Sequence, residues 1–185
     1  MTTPSEHQPS PEQATGFVAQ SPEEQTMLIA FDGSEESRRA FQYAAQLLRP
    51  AHVQILTAWE PLHRQAARAA SGAGMMQHDF SAALETPEGD PAYAHALTIS
   101  HEGVKLAESL GFHAHAHLVE SSTAIWSALV DAAQELKPDV VVTGTRALKG
   151  FRSLFKSSTS ENLIQNVGMP VFIVPPPVED LTQDD

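Results

Sequence analysis

The sequence predicts an α/β fold: an open five-stranded parallel sheet with helices packed on both faces. Two features carry this expectation. Short apolar runs recur along the chain, and segments with helical spacing separate them. Strands that alternate with helices pair in parallel through right-handed crossovers, which places helices on both faces of the sheet. A length of 185 residues and a hydrophobic fraction of 42% suit one domain with loose ends.

Each element has its own signal. Met27 to Phe31 is a continuous apolar run, as in a strand buried on both faces. Ser34 offers an N-cap, Glu35 and Glu36 favour the positive end of a helix, and Ala40, Phe41, Ala44, Ala45 and Leu48 follow at helical spacing. Val53 to Trp59 reads as the second strand. Pro91 to Leu110 carries another helical pattern, closed by Gly111 at the C′ position. Phe112 to Val119 alternates with period two, a strand pattern. Ser122 or Thr123 is the expected cap of the next helix, whose core face holds Ile125, Ala128, Leu129, Ala132, Ala133 and Leu136 before Pro138 ends it. Val140 to Thr143 is the most strand-like run in the chain. Leu163, Ile164 and Val167 mark a last helix, closed by Gly168 and Pro170, and Val171 to Val174 is the final strand.

Residues 1–25, rich in Pro, Ser, Gln and Glu, read as a disordered leader. Residues 26–176 form the expected domain, and 177–185 an acidic tail that begins in prolines. Within the domain, residues 60–90 make a long variable loop that serves as a lid or an insertion, with a short helix after Pro61.

Composition excludes several functions. A formal charge of −12 argues against a general nucleic-acid binder, which needs net or clustered positive charge. The absence of cysteine removes disulfides, thiolate metal sites and cysteine nucleophiles. No signal-peptide pattern opens the chain, and no run approaches the roughly 20 apolar residues of a membrane span. A soluble cytoplasmic protein without membrane or nucleic-acid partners is expected.

The segment TGTRALKGFRSLFKSSTS, residues 143–160, carries the chemistry. Gly144 directly follows a buried strand, where ligands of open α/β sheets sit, and glycine there permits close backbone approach or a positive φ. Ser157, Ser158, Thr159 and Ser160 stand where a helix begins, and helix-start amides and hydroxyls favour an anion. Arg146, Lys149, Arg152 and Lys156 gather cations in an otherwise acidic chain. Ordinary capping and a solvated helix face account equally well for the same residues.

This segment resembles the signature of the universal stress protein family: glycine, two residues, glycine, nine residues, glycine, then serine or threonine. Gly144 takes the first position and Ser158 the last, while Ala147 and Ser157 stand where the family has glycine. Leu28 to Ser34 resembles the family's opening strand and Asp-Gly-Ser turn, and the likeness extends over residues 26–175. It implies a Rossmann-like sheet of order 3-2-1-4-5, usually in a homodimer joined through the last strand. Strands 1 and 4 then lie side by side at the switch point. In nucleotide-binding members the position of Asp32 lies near ribose and phosphates. Those of Ala30 and Ala58 contact the adenosine end, and the glycine loop and its hydroxyl hold phosphate. The implied binding set is Ala30, Phe31, Asp32, Gly33, Ala58, Thr143, Gly144, Arg146, Ala147, Ser157, Ser158 and Thr159. The implied ligand is ATP or another adenine nucleotide, with Mg²⁺. For Asp32 the alternative role is a plain turn residue.

Nine histidines raise the question of a metal. His113, His115 and His117 share one strand face at about 6–7 Å spacing, so two can share an ion and three would strain. In the family's sheet order this is an edge strand, where exposed polar residues discourage edge pairing. That reading is preferred, and no protein-ligated metal is expected. His52 reads as the start of a strand, and Trp59 and Trp126 as packing residues. No nucleophile with a base and orienter is visible. The expected function is therefore a non-catalytic stress-response or signalling protein that binds ATP, with at most weak hydrolysis. The alternative is a dimeric interaction protein of the same fold without a nucleotide.

Overall fold

The computed structural model describes residues 25–72, 87–145 and 159–177. The order of elements is β1 (Thr26–Ala30), α1 (Glu35–Leu48), β2 (His52–Trp59), α2 (Leu62–Gly72), a 3₁₀ turn (Pro87–Gly89), α3 (Pro91–Ser109), β3 (His113–Glu120), α4 (Ile125–Leu136), β4 (Val140–Gly144), α5 (Thr159–Asn166) and β5 (Val171–Val174). The five strands form one sheet of order β3-β2-β1-β4-β5, parallel throughout. Fold class and strand order are those implied by the sequence.

β1 is the centre of the sheet, and Met27, Leu28 and Ile29 are fully buried there. Alternation along the strands divides the core in two. Met27, Ile29, Phe31, Val53, Ile55 and Val142 face α1 and α3, where Phe41, Ala44 and Ala107 meet them. Leu28, Leu56 and Val141 face the opposite way, against Leu129, Ala133 and Leu163 of α4 and α5. The helices change face where the strand order reverses, between β1 and β4. A crevice opens at the C-terminal ends of those two strands.

Local chemistry explains most boundaries. The Ser34 hydroxyl accepts from the Ser37 amide at 3.2 Å and caps α1, as its sequence position suggested. Gly111 takes φ +85° just past α3, the expected stop. The start of α4 differs from expectation. Its N-cap is Ala124, without a side-chain cap, and the Thr123 hydroxyl instead pairs with Ser127 Oγ at 3.1 Å. A hydroxyl side chain one turn away thus takes up the group that was expected to hold an amide.

Within residues 60–90 a helix follows Pro61, where a short one was expected, and a 3₁₀ turn precedes Asp90. Leu62–Gly72 is helical, and the remaining lid or insertion, 73–86, falls outside the described residues. Buried Asp90 joins the two ends. Its Oδ1 accepts from the Ala92 amide at 2.8 Å and its Oδ2 from the Leu62 amide at 2.9 Å, so one carboxylate caps both α3 and α2. Arg64 adds a hydrogen bond to the Ser121 carbonyl and an ion pair to Glu120, and Arg68 pairs with Glu60. Trp59 packs edge-on against Tyr93, with ring centroids 5.3 Å apart. Among the described residues no helix is long and apolar enough to cross a membrane.

Two expected outcomes follow from this packing. A Cβ on Gly103 of α3 would stand 2.7 Å from Ile55 Cγ2 and 3.0 Å from Phe31 Cδ1. Gly103→Ala therefore destabilises the fold by about 1 kcal/mol in urea unfolding, since overpacking outweighs the gain in helix propensity. Asp90→Ala costs about 2 kcal/mol and speeds hydrogen exchange at the Leu62 and Ala92 amides, because both helix starts lose their acceptor.

Candidate functional site

A cavity of about 390 Å³ occupies the crevice between β1 and β4. That volume lies in the range of small-molecule sites. Going along the sheet from β2 through β1 to β4, its lining changes character. On the β2–β1 side stand Leu56, Ala58 and Ala30, roofed by Ile125 and Leu129 of α4. Small alanines on the strands leave space beneath the helix, and the surrounding aliphatic groups make that space apolar. On the β4 side stand Thr143, Gly144, Thr145, Thr159 and Ser160. Asp32, Ser34, Glu36 and Ser37, which follow β1, lie between.

Three helices present their first turns to this cavity: α1 through Ser34, Glu36 and Ser37, α4 through Ile125, and α5 through Thr159 and Ser160. Helix N-termini carry partial positive charge and orphan amides, so their convergence favours a negatively charged group. α4 starts without a side-chain cap, which leaves its first amides to solvent or a ligand.

The turn after β1 is tightly ordered. Asp32 Oδ1 accepts from the Ser34 amide at 3.0 Å and from the Ser34 hydroxyl at 2.5 Å. Gly33 takes φ +75°, a conformation that side chains rarely adopt, which is the physical reason for glycine in this Asp-Gly pair. Ser37 Oγ donates to the Ser34 carbonyl at 3.0 Å. Phe31 lines the cavity while its ring is buried in the opposite core. Its backbone is already engaged: the amide donates to Leu56 O at 2.9 Å, and the carbonyl accepts from Thr57 Oγ1 at 3.0 Å.

Gly144 is glycine for a reason the sequence did not reveal. Its φ is not left-handed, and a Cβ there would stand 2.4 Å from the Glu36 carbonyl oxygen. The neighbour that demands the missing side chain is the first turn of α1. The Gly144 carbonyl accepts from Thr143 Oγ1 at 3.0 Å and from Ser160 Oγ at 3.3 Å, which occupies an oxygen that would otherwise repel an anion.

Of the residues proposed from sequence, Ala30, Phe31, Asp32, Ala58, Thr143, Gly144 and Thr159 line this cavity. Gly33 shapes the turn without being part of the lining, and Arg146, Ala147, Ser157 and Ser158 lie outside the described residues. Trp59 and Trp126 pack against the protein and neither lines the cavity. Eight further residues line the cavity outside that set: Ser34, Glu36, Ser37, Leu56, Ile125, Leu129, Thr145 and Ser160, of which the α4 pair Ile125 and Leu129 and the hydroxyl Ser160 bear most on its shape. The α4 residues were visible as a helical i, i+4 pair, but only as core. Ser160 was visible as one hydroxyl in a run. Burial lowers the His117 imidazole below its ordinary value, and the nearby His115 charge lowers it further.

Comparison with known proteins agrees with this architecture. Residues 24–175 match the model of the universal stress protein family. A universal stress protein of Thermus aquaticus, named for a QAH/OAS sulfhydrylase 3′ region, is 30% identical over 151 residues, 80% of this chain and 97% of that protein. Among solved structures, a universal stress protein in complex with cAMP has a TM-score of 0.56 at 26% identity, covering 81% of this chain and 96% of its own. A universal stress protein family member from Arabidopsis thaliana with AMP bound has a TM-score of 0.55 at 11% identity, covering 86% and 97%, and shows likeness of fold. With its sheet order, its reversal point and a family match that runs through nearly all of the described residues, the chain belongs to the universal stress protein family.

Proposed function

We propose that this protein binds an adenine nucleotide in the β1–β4 cavity, in the cell ATP with Mg²⁺, and acts as a non-catalytic stress-response or signalling protein. One observation carries the reading: a single cavity joins an apolar shelf beneath α4 to three converging helix starts. A nucleotide has the same two halves, a flat base with low polarity and a charged phosphate chain. The base lies against Ala30, Ala58 and Leu129, the ribose near Asp32, and the phosphates beside Gly144 and Thr159. A related universal stress protein, 26% identical, has been solved with cAMP, which supports a nucleotide here.

Mg²⁺ fits the chemistry of the cavity. The described charged side chains of its lining are Asp32 and Glu36, and hydroxyls of Ser34, Thr145 and Thr159 accompany them. Hard divalent cations prefer such oxygen donors and offset the repulsion between carboxylates and phosphates. The ion enters bound mainly by the phosphates of the nucleotide itself. The cations Arg146, Lys149, Arg152 and Lys156 belong to the segment that follows Gly144 in sequence, and they add charge of the required sign. A signalling role in the cytoplasm, as a homodimer joined through β5, needs a nucleotide with different affinity for two conformations rather than acid–base chemistry.

Gly144 favours a second reading, because the α1 backbone alone explains its missing side chain. Under that reading the chain is an interaction protein of the same fold without a nucleotide. Denaturing the purified chain and analysing the released small molecules separates the two, together with calorimetry of ATP, ADP, AMP and cAMP. One adenine nucleotide bound per chain is expected. Ala58→Leu fills the shelf and weakens binding at least about tenfold, roughly 1.4 kcal/mol, with the thermal midpoint little changed. No released nucleotide and no calorimetric binding would establish the second reading.

A further inference from the structure

We propose that His115 and His117 form a two-imidazole site for a divalent transition cation, Zn²⁺, Ni²⁺ or Cu²⁺, on the uncovered face of β3, with Gln54 orienting His115. β3 is an edge strand, and its register with β2 places His113 beside His52, His115 beside Gln54 and His117 beside Leu56. Aligned residues of neighbouring strands share a face, so four histidines and one glutamine form a continuous stripe. The same face is covered by α4 further along, where Leu56, Ala58 and Val119 join the core. Over the stripe that cover ends: His52, His113 and His115 are exposed and His117 is half-buried.

The composition of the stripe is what a solvated edge does not require. Edges are commonly guarded by lysine or other charges. Between His52 and Trp59, and between His113 and Val119, neither strand carries a Lys, Arg, Asp or Glu. Imidazole is the ligand type suited to zinc, nickel and copper. Residues two apart on a strand stand about 6–7 Å apart, and two imidazoles leaning together can meet one cation at about 2.0–2.1 Å each. His115 and His117 stand two residues apart on one face of β3, with His115 exposed and His117 half-buried, so both rings lean over the same uncovered surface.

Gln54 is the second, independent observation. Its Oε1 is buried and has no hydrogen-bond partner, although it sits in register with His115 on the same face. A metal-bound histidine donates its other ring N–H to a nearby carbonyl, and this fixes the ring. Gln54 Oε1 is an unpartnered acceptor in register with His115, open to that donor once a cation fixes the ring. The proposed site offers two protein ligands, and water is expected to complete the coordination.

The test uses the tag-free, nucleotide-free full chain, with calorimetry of Zn²⁺ and electron paramagnetic resonance of Cu²⁺. The expected result is one cation per chain and a spectrum with two coordinating imidazole nitrogens. His115→Ala and His117→Ala each weaken binding at least about tenfold. Gln54→Leu weakens it by a similar factor with stoichiometry unchanged, as loss of an orienting partner does. His95→Ala and His113→Ala stay within about twofold of the parent, and circular dichroism confirms that each variant is folded. Absence of saturable binding overturns the proposal, as does binding that survives His117→Ala or that disappears with His113→Ala. None of these outcomes depends on whether the chain binds a nucleotide.

Discussion

The closeness of two backbones governs this molecule. The first turn of α1 lies so near the end of β4 that Gly144 cannot carry a side chain without striking the Glu36 carbonyl. β1 and β4 are neighbours in the sheet, yet the helices that follow them depart to opposite faces. The crevice between them is therefore a product of topology, and its width is set by how closely α1 can settle on β4. Ser34, Asp32 and Ser37 then hold the turn above β1 in one arrangement, through hydrogen bonds that stay within that turn. That turn is thus ordered by the chain itself, the kind of preorganisation that lowers the entropy cost of binding.

Small residues extend this control along the same face of the sheet, to α3. Phe31 stands at the crevice, but its ring lies against Gly103 of α3, and the Gly33 turn is close to Ile99 of the same helix. The end of β1 is consequently held by both helices of that face, α1 and α3. Displacement of α3 would be felt at Asp32 through rigid, close-packed contacts.

Much of this architecture was legible in the chain. The four apolar runs, the alternating segment Phe112 to Val119, the Ser34 cap, and the stops at Gly111 and Gly168 rest on local chemistry, and each is found where the pattern put it. Gly144 could be singled out because ligands of open sheets collect at the ends of buried strands, whereas Ala30 and Asp32 were implied by the resemblance to the universal stress protein family. What stayed hidden depends on residues far apart in sequence. Ile125 and Leu129 look like core because a helix face that lines a cavity has the same spacing as one that packs a sheet. The purpose of Gly144 lies in a residue more than a hundred positions earlier, and the pairing of His52 with His113 in the register of two strands. Asp90 looked like a loop residue, and only the fold shows it serving two helices.

That double cap has a consequence for how the sequence can vary. Leu62 and Asp90 are 28 positions apart but in contact, so the excursion between them leaves and rejoins the domain at one point. Closing a longer or shorter chain through a fixed gate changes the entropy only slowly, by about 0.6 kcal/mol per doubling of length. Insertions and deletions at that spot are therefore nearly free of charge to the sheet. Relatives can diverge there in size and content while the strands, the crevice and the turn after β1 stay in step.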